Sequence, residues 1–249
     1  MSLFNDKLKK ITLKELLSLI IILFVIQYLI NSLNVVHIDS LWIYVFIIFY
    51  FIFKLKSEIL SIKGDVLEVF TPDVIKLIFG VVILNIFFSY GMLYLSNYVL
   101  DIVPSFNLFH SFLTGSVITT ILVSPISEEL IFRGVFLNSL QLAVPVVFAV
   151  LISSLLFAAL HSFGSIFSAF VFGICIAMLY LKTDNIFVAI FAHFFNNLFA
   201  EIIVVMDPNR ILFTNTSVML VMSILAIVSF IIILVFITVH LKNLNNSDL

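Results

Sequence analysis

The sequence predicts an all-α polytopic membrane bundle of about eight transmembrane helices with both termini cytoplasmic, on three observations. Of the 249 residues, 63% are hydrophobic and only 10% charged, against roughly a quarter charged in soluble domains. Apolar runs of membrane-spanning length recur along the chain. The basic residues gather in alternate connections. A soluble chain this apolar could not cover its own core with polar surface, whereas lipid is itself an apolar solvent. A single integral membrane domain, 1–249, in a multi-pass cell-membrane protein, is the expectation.

A crossing helix needs about 20 mostly apolar residues. Such runs cover 15–36, 38–55, 74–99, 109–125 running on into 127–141, 144–161, 165–181, 185–203 and 215–239. The second and sixth are short. Pro125 lacks a backbone donor and predicts a break there. The first run is too long for a secretory signal and no small-residue cleavage site follows it, so it reads as a retained span. Residues 56–73 form the longest polar stretch and read either as a short amphipathic helix on the cytoplasmic face or as a plain loop.

Orientation follows from Lys and Arg. Lys7, Lys9, Lys10 and Lys14 precede the first span; Lys54, Lys56, Lys63 and Lys76 lie at the second connection. Arg133, Lys182 and Lys242 fall at later connections of the same side, and only Arg210 falls opposite. Net charge is −2, and no basic stripe suggests a nucleic-acid partner. The lone Cys175 excludes an internal disulfide and reads as helix packing.

Three carboxylates fall inside spans: Glu128, Glu129 and Glu201. A charge at the bilayer centre costs about 2.5–3.5 kcal/mol, so such residues face a bundle interior or a wet cavity. Glu128 and Glu129 point about 100° apart. Arg133 lies at i+4 from Glu129, the favourable order for an ion pair on one face. Glu128 is left without a local partner, which suits a general base or acid. His161 ends the run FAALH. His193, Asn197 and Glu201 follow at i, i+4 and i+8, a polar stripe on one helix face. Glu201 lies near a span end and is left out of the site; His37, His110 and His240 receive no role. Alone, an intramembrane histidine or asparagine is more often a helix–helix hydrogen bonder. A carboxylate pair, two histidines and an amide on three spans point instead to a functional site, with hydrolysis, proton-coupled transport and metal passage all open.

EELIFRG at 128–134, FAALH at 157–161 and HFFNN at 193–197 resemble the EExxxR, FxxxH and HxxxN/B motifs of the CPBP family, the CAAX proteases and bacteriocin-processing (Abi) enzymes. The motifs stand in family order within 110–203, the segment that resembles the catalytic core. The resemblance implies an intramembrane endopeptidase of glutamate or metallo type. Its substrate would be a membrane-associated peptide or protein, cut near the membrane surface. It further implies that Glu128 and His161 activate water, that His193 and Asn197 stabilise the oxyanion, and that Glu129 and Arg133 support the site. Glu128, His161 and His193 would be the ligands if zinc is bound. No HExxH occurs, and the reading favours no obligatory metal. Two rivals are a non-proteolytic bacteriocin-immunity or scaffold protein of the same family, and a small proton-coupled transporter, which lacks the expected internal repeats. Oligomeric state and substrate identity are not legible.

One expectation is geometric. At 1.5 Å per residue from the cytoplasmic turns, His161 lies about 25 Å deep and His193 about 12 Å. They meet only if tilt, Pro145, a break near Gly164 or different span starts close the gap.

Overall fold

The computed structural model describes residues 3–33, 41–59, 62–94, 117–161, 166–207, 209 and 211–247. Every regular element among them is helical. In chain order these are α1 (Leu3–Leu8), α2 (Leu13–Ser32), α3 (Leu41–Lys54), α4 (Ile62–Val69), α5 (Pro72–Tyr94), α6 (residues 117–141), α7 (Val146–Ala159), α8 (Ile166–Thr183), α9 (Ile186–Met206) and α10 (Thr216–Ser247), the last preceded by the single turn Ile211–Thr214. Helices α2, α5, α8, α9 and α10 are long and apolar enough to cross a membrane; α3 and α7 are shorter apolar helices. With α6 they make up the polytopic helical bundle that hydropathy predicts. His37, His110, Gly164 and Arg210 lie outside the described residues.

Helix α8 is the centre. Its residues from Val171 to Tyr180 are all buried, while α2 and α10 present Ile21, Phe24, Ile224 and Ile231 outward. In water such faces would be aggregation sites; against hydrocarbon they are simply solvated. Helix α5 packs along α10, with Phe88 stacked on Phe230 at 5.0 Å. That approach is close because Gly91 has no side chain: a Cβ there would sit 2.1 Å from Ala226 Cβ.

The predicted break at Pro125 does not occur. Helix α6 continues through it by widening into π turns at Thr119–Val123 and again at Leu130–Leu137. In the first wide turn the Ser124 amide bonds Thr119 O, five residues back. Pro125 would bond Thr120 O next, but it has no N–H. Two side chains serve this stretch: Ser127 Oγ donates to Val123 O and Ser124 O, each at 3.1 Å, and Asn197 Nδ2 of α9 donates to Thr120 O at 2.9 Å. In the second wide turn Asn138 Nδ2 reaches Arg133 O and Gly134 O.

One end of the bundle is capped by α1. Asn5 Oδ1 accepts from the Ile186 amide at 2.9 Å, Phe4 packs on Phe187, and Leu8 presses onto Gly134, where a Cβ would lie 2.8 Å from Leu8 Cδ2. Lys7 pairs with Glu58 at 2.7 Å and Lys9 with Asp184; the ammonium of Lys7 holds the half-buried Glu58 carboxyl below its usual range. Asn185 Nδ2 donates to Asp65 O of α4. The segment 56–73 therefore contains a real helix, and it lies at the same end as the N-terminus and the α8–α9 turn. These are segments that the basic residues assign to one side.

Two histidines of unequal counted depth meet in this bundle. Helix α9 begins beneath α1, with Asn185 and Ile186 buried, whereas Leu142, on the turn into α7, is 91% exposed. The two helices start in different surroundings. Helix α7 has 14 residues, about 21 Å, and His161 follows its end. His161 and His193 ring centroids lie 6.4 Å apart.

Two outcomes test this architecture. Gly91→Ala is expected to lower the thermal unfolding midpoint in detergent, an overpacking cost of about 1–3 kcal/mol, and adding Ala226→Gly should restore most of it; an unchanged midpoint for Gly91→Ala alone would contradict the close α5–α10 approach. A fluorescent protein fused to the C-terminus should fluoresce while alkaline phosphatase fused there stays inactive, and the reverse pattern would overturn the orientation.

Candidate active site

Helix α6 supplies both glutamates and the arginine. Glu129 and Arg133 are fully buried, at 0% exposure, so the guanidinium must be satisfied inside the protein. Arg133 Nη1 donates to Glu129 Oε1 at 3.0 Å and Nη2 to Gly173 O of α8 at 2.8 Å. Its Cζ stands 4.4 Å over the Phe157 ring of α7. The expected i,i+4 ion pair is present, and the arginine also ties α6 to α7 and α8. Gly173 permits this: a Cβ there would press on Ser154 and Phe157 at 3.1–3.2 Å.

Glu129 Oε1 has a second partner, His193 Nδ1 of α9, at 2.7 Å. A carboxylate paired with an arginine is an acceptor, so His193 donates from Nδ1. His161 Nδ1 lies 2.8 Å from Phe157 O; a carbonyl only accepts, so His161 also donates from Nδ1. In each neutral imidazole the remaining nitrogen, Nε2, then carries a lone pair. Both Nε2 atoms face Glu128. Glu128 Oε2 is 3.8 Å from His161 Nε2 and 3.9 Å from His193 Nε2. It is buried and has no hydrogen-bond partner. Glu128 Oε1 is held, by the Tyr44 hydroxyl at 3.1 Å and by the Ser124 hydroxyl.

Three lone-pair-bearing atoms thus converge, within 4.8 Å of one another. Such an arrangement requires something positive or hydrogen-donating between them: a water, a proton or a metal cation. Hydrogen bonds of about 2.7–3.0 Å span these separations directly. Zinc with ligands at 2.0–2.2 Å needs them roughly 3.3–3.6 Å apart, so all three, which lie within 4.8 Å of one another, would have to draw closer together. The donor set, with each imidazole oriented through its other nitrogen, is one that suits zinc.

The cluster brings together Glu128, Glu129, Arg133, His161 and His193. Asn197 stands one turn further along α9, its amide engaged with Thr120 O and its Oδ1 accepting from Asn196; one of its two N–H groups carries the Thr120 bond, and an amide has a second. Asn196 in turn accepts from Asn85 of α5 at 2.8 Å. Glu201 is half-buried near the end of α9, away from the cluster. His240 donates to Phe236 O in α10. Sequence reasoning misses Tyr44, Ser124, Gly173 and Asn85 as neighbours of the site. Ser124 carries a signal in its i,i+4 spacing to Glu128, and Tyr44 in being a hydroxyl within the run LWIYVFIIFY. Gly173 acts through a carbonyl and carries none.

Removing one partner of the buried pair should be costly. Arg133→Met leaves Glu129 uncompensated and is expected to destabilise by about 3–5 kcal/mol, while Glu129→Gln with Arg133→Met should recover part of that; thermal unfolding in detergent reads both, and no loss in the single variant would mean the pair is solvated.

Comparison with known proteins adds to this geometry. Residues 110–199 match the family described as type II CAAX prenyl endopeptidase Rce1-like. A Bacillus subtilis (strain 168) protein named "Putative membrane peptidase YdiL" is 36% identical over 95 residues. That match covers 38% of this chain and 38% of the relative, well under half of either. No solved structure matches the chain. Residues 110–199, which hold all three motifs and every member of the buried cluster, are thus the part of the chain that is similar to membrane peptidases of this family.

Proposed function

We propose that this protein is an intramembrane endopeptidase that hydrolyses a peptide bond of a membrane-associated peptide or protein near the membrane surface. The observation that carries the reading is the unpartnered Glu128 Oε2 between two imidazole Nε2 atoms, 3.8 and 3.9 Å away. A water placed there finds acceptors for its two hydrogens in Glu128 Oε2 and His161 Nε2, so its oxygen is made nucleophilic and aimed.

In this mechanism Glu128 and His161 take a proton from the water as its oxygen bonds to the scissile carbonyl carbon. The carbonyl oxygen becomes an oxyanion. His193 and Asn197 stabilise it, Asn197 through its second amide hydrogen and His193 through Nε2 when both ring nitrogens are protonated. The Glu129 carboxylate on Nδ1 compensates the charge of that form. The intermediate collapses as the proton held by Glu128 passes to the leaving nitrogen and the C–N bond breaks. Arg133 fixes Glu129 and so the His193 ring. Should the enzyme use a zinc ion, Glu128, His161 and His193 would hold it, and the ion would polarise the carbonyl and acidify the water.

Glu128→Gln and His161→Ala are each expected to cut cleavage by at least about 100-fold at unchanged membrane levels. Comparative peptidomics of cells carrying wild-type or Glu128→Gln protein reads the loss and identifies the substrate as the peptides that accumulate uncut. Identical peptide profiles in the two strains would defeat the proposal. The purified enzyme stripped by a chelator is expected to keep its activity, with added zinc producing no more than a twofold rise; strict dependence on zinc would establish the metallo form.

A further inference from the structure

We infer that Tyr44, on α3, is a positioning residue for Glu128, an inference that rests on the peptidase reading. A carboxylate on a helix can rotate about its terminal torsion, which has broad, roughly two-fold wells. In this site the two oxygens must not be equivalent, because only one faces the histidines. Tyr44 and Ser124 make them inequivalent. Both hydroxyls donate to Oε1, and hydrogen bonds from neutral donors to a charged acceptor are among the stronger kind. With Oε1 saturated, Oε2 is the oxygen presented to His161 and His193 and the one on which a proton from water arrives.

The two donors are not equivalent in origin. Ser124 lies one turn before Glu128 on α6 and moves with it. Tyr44 comes from a different helix, outside residues 110–199, and refers the carboxylate to the rest of the bundle. Helix α3 is itself firmly anchored. Ile43, Ile47 and Phe51 are buried along one side, and its last turn is held by the Lys54–Glu15 pair to α2. The early spans, which carry no motif, thereby contribute a hydroxyl to the site.

The test separates a hydrogen-bonding role from simple packing. Tyr44→Phe keeps the ring and removes the donor. It is expected to lower kcat about 10- to 100-fold, with KM within twofold and an unchanged unfolding midpoint. Substitution of Tyr44 by p-aminophenylalanine, which retains a donor, should restore kcat to within about threefold, whereas p-methoxyphenylalanine, which fills the space without donating, should not. The probes are a fluorogenic farnesylated CAAX peptide and a fluorogenic unprenylated membrane-inserted peptide. Isotope-edited infrared difference spectra, wild type minus Glu128→Gln, isolate the Glu128 carboxylate band, which should move in Tyr44→Phe and return with p-aminophenylalanine. Wild-type kcat in Tyr44→Phe, or an unmoved band, would overturn the inference. Should wild-type protein cleave neither probe, the peptidase reading falls on its own account, and the infrared band still decides whether Tyr44 holds Glu128.

Discussion

A guanidinium sealed from water has to be neutralised where it stands, and most of the site is built around that demand. Arg133 finds a carboxylate one turn back, a backbone carbonyl on α8 and an aromatic face on α7. The carboxylate that neutralises it, Glu129, then holds His193 by the same oxygen. The arginine is therefore linked through Glu129 to an imidazole on another helix, α9. Leaving out any member exposes an uncompensated charge to a medium that cannot solvate it.

Glu128 and Glu129 are neighbours with opposite fates. Helical rotation sends Glu129 into a dry junction where its Oε1 is shared by Arg133 and His193, and sends Glu128 toward two imidazole nitrogens that its Oε2 faces without a hydrogen bond. The first is a fixed point and the second is an opening. The proposed chemistry is assigned to the second, and the first holds the His193 ring beside it.

Much of this was legible from residue types and spacing. Hydropathy located the apolar helices, because in lipid every backbone group must be satisfied within its own segment. The Glu129–Arg133 pair followed from i,i+4 geometry. Relative depth did not follow, since an apolar run reports its length and not its level. The buried start of α9 beneath α1 depends on Asn5 reaching the Ile186 amide, a contact across most of the chain between residues that look like ordinary polar punctuation. The wide turns of α6 were equally hidden, because a π turn shifts the hydrogen-bond register without changing which residues are apolar. Tyr44 passed as one aromatic among many in its span.

Pro125 and Asn197 join two helices in an unexpected way. An imino acid leaves a carbonyl without its usual partner, and an amide on another helix supplies the missing hydrogen. Position 197 is then answerable to position 125. A chain that replaced the proline with a residue bearing an N–H would release the asparagine from this duty, and a chain that lost the asparagine would loosen the very stretch that leads into Glu128. An inactive variant at 197 consequently reports on two debts at once, and only its pairing with a change at 125 tells them apart.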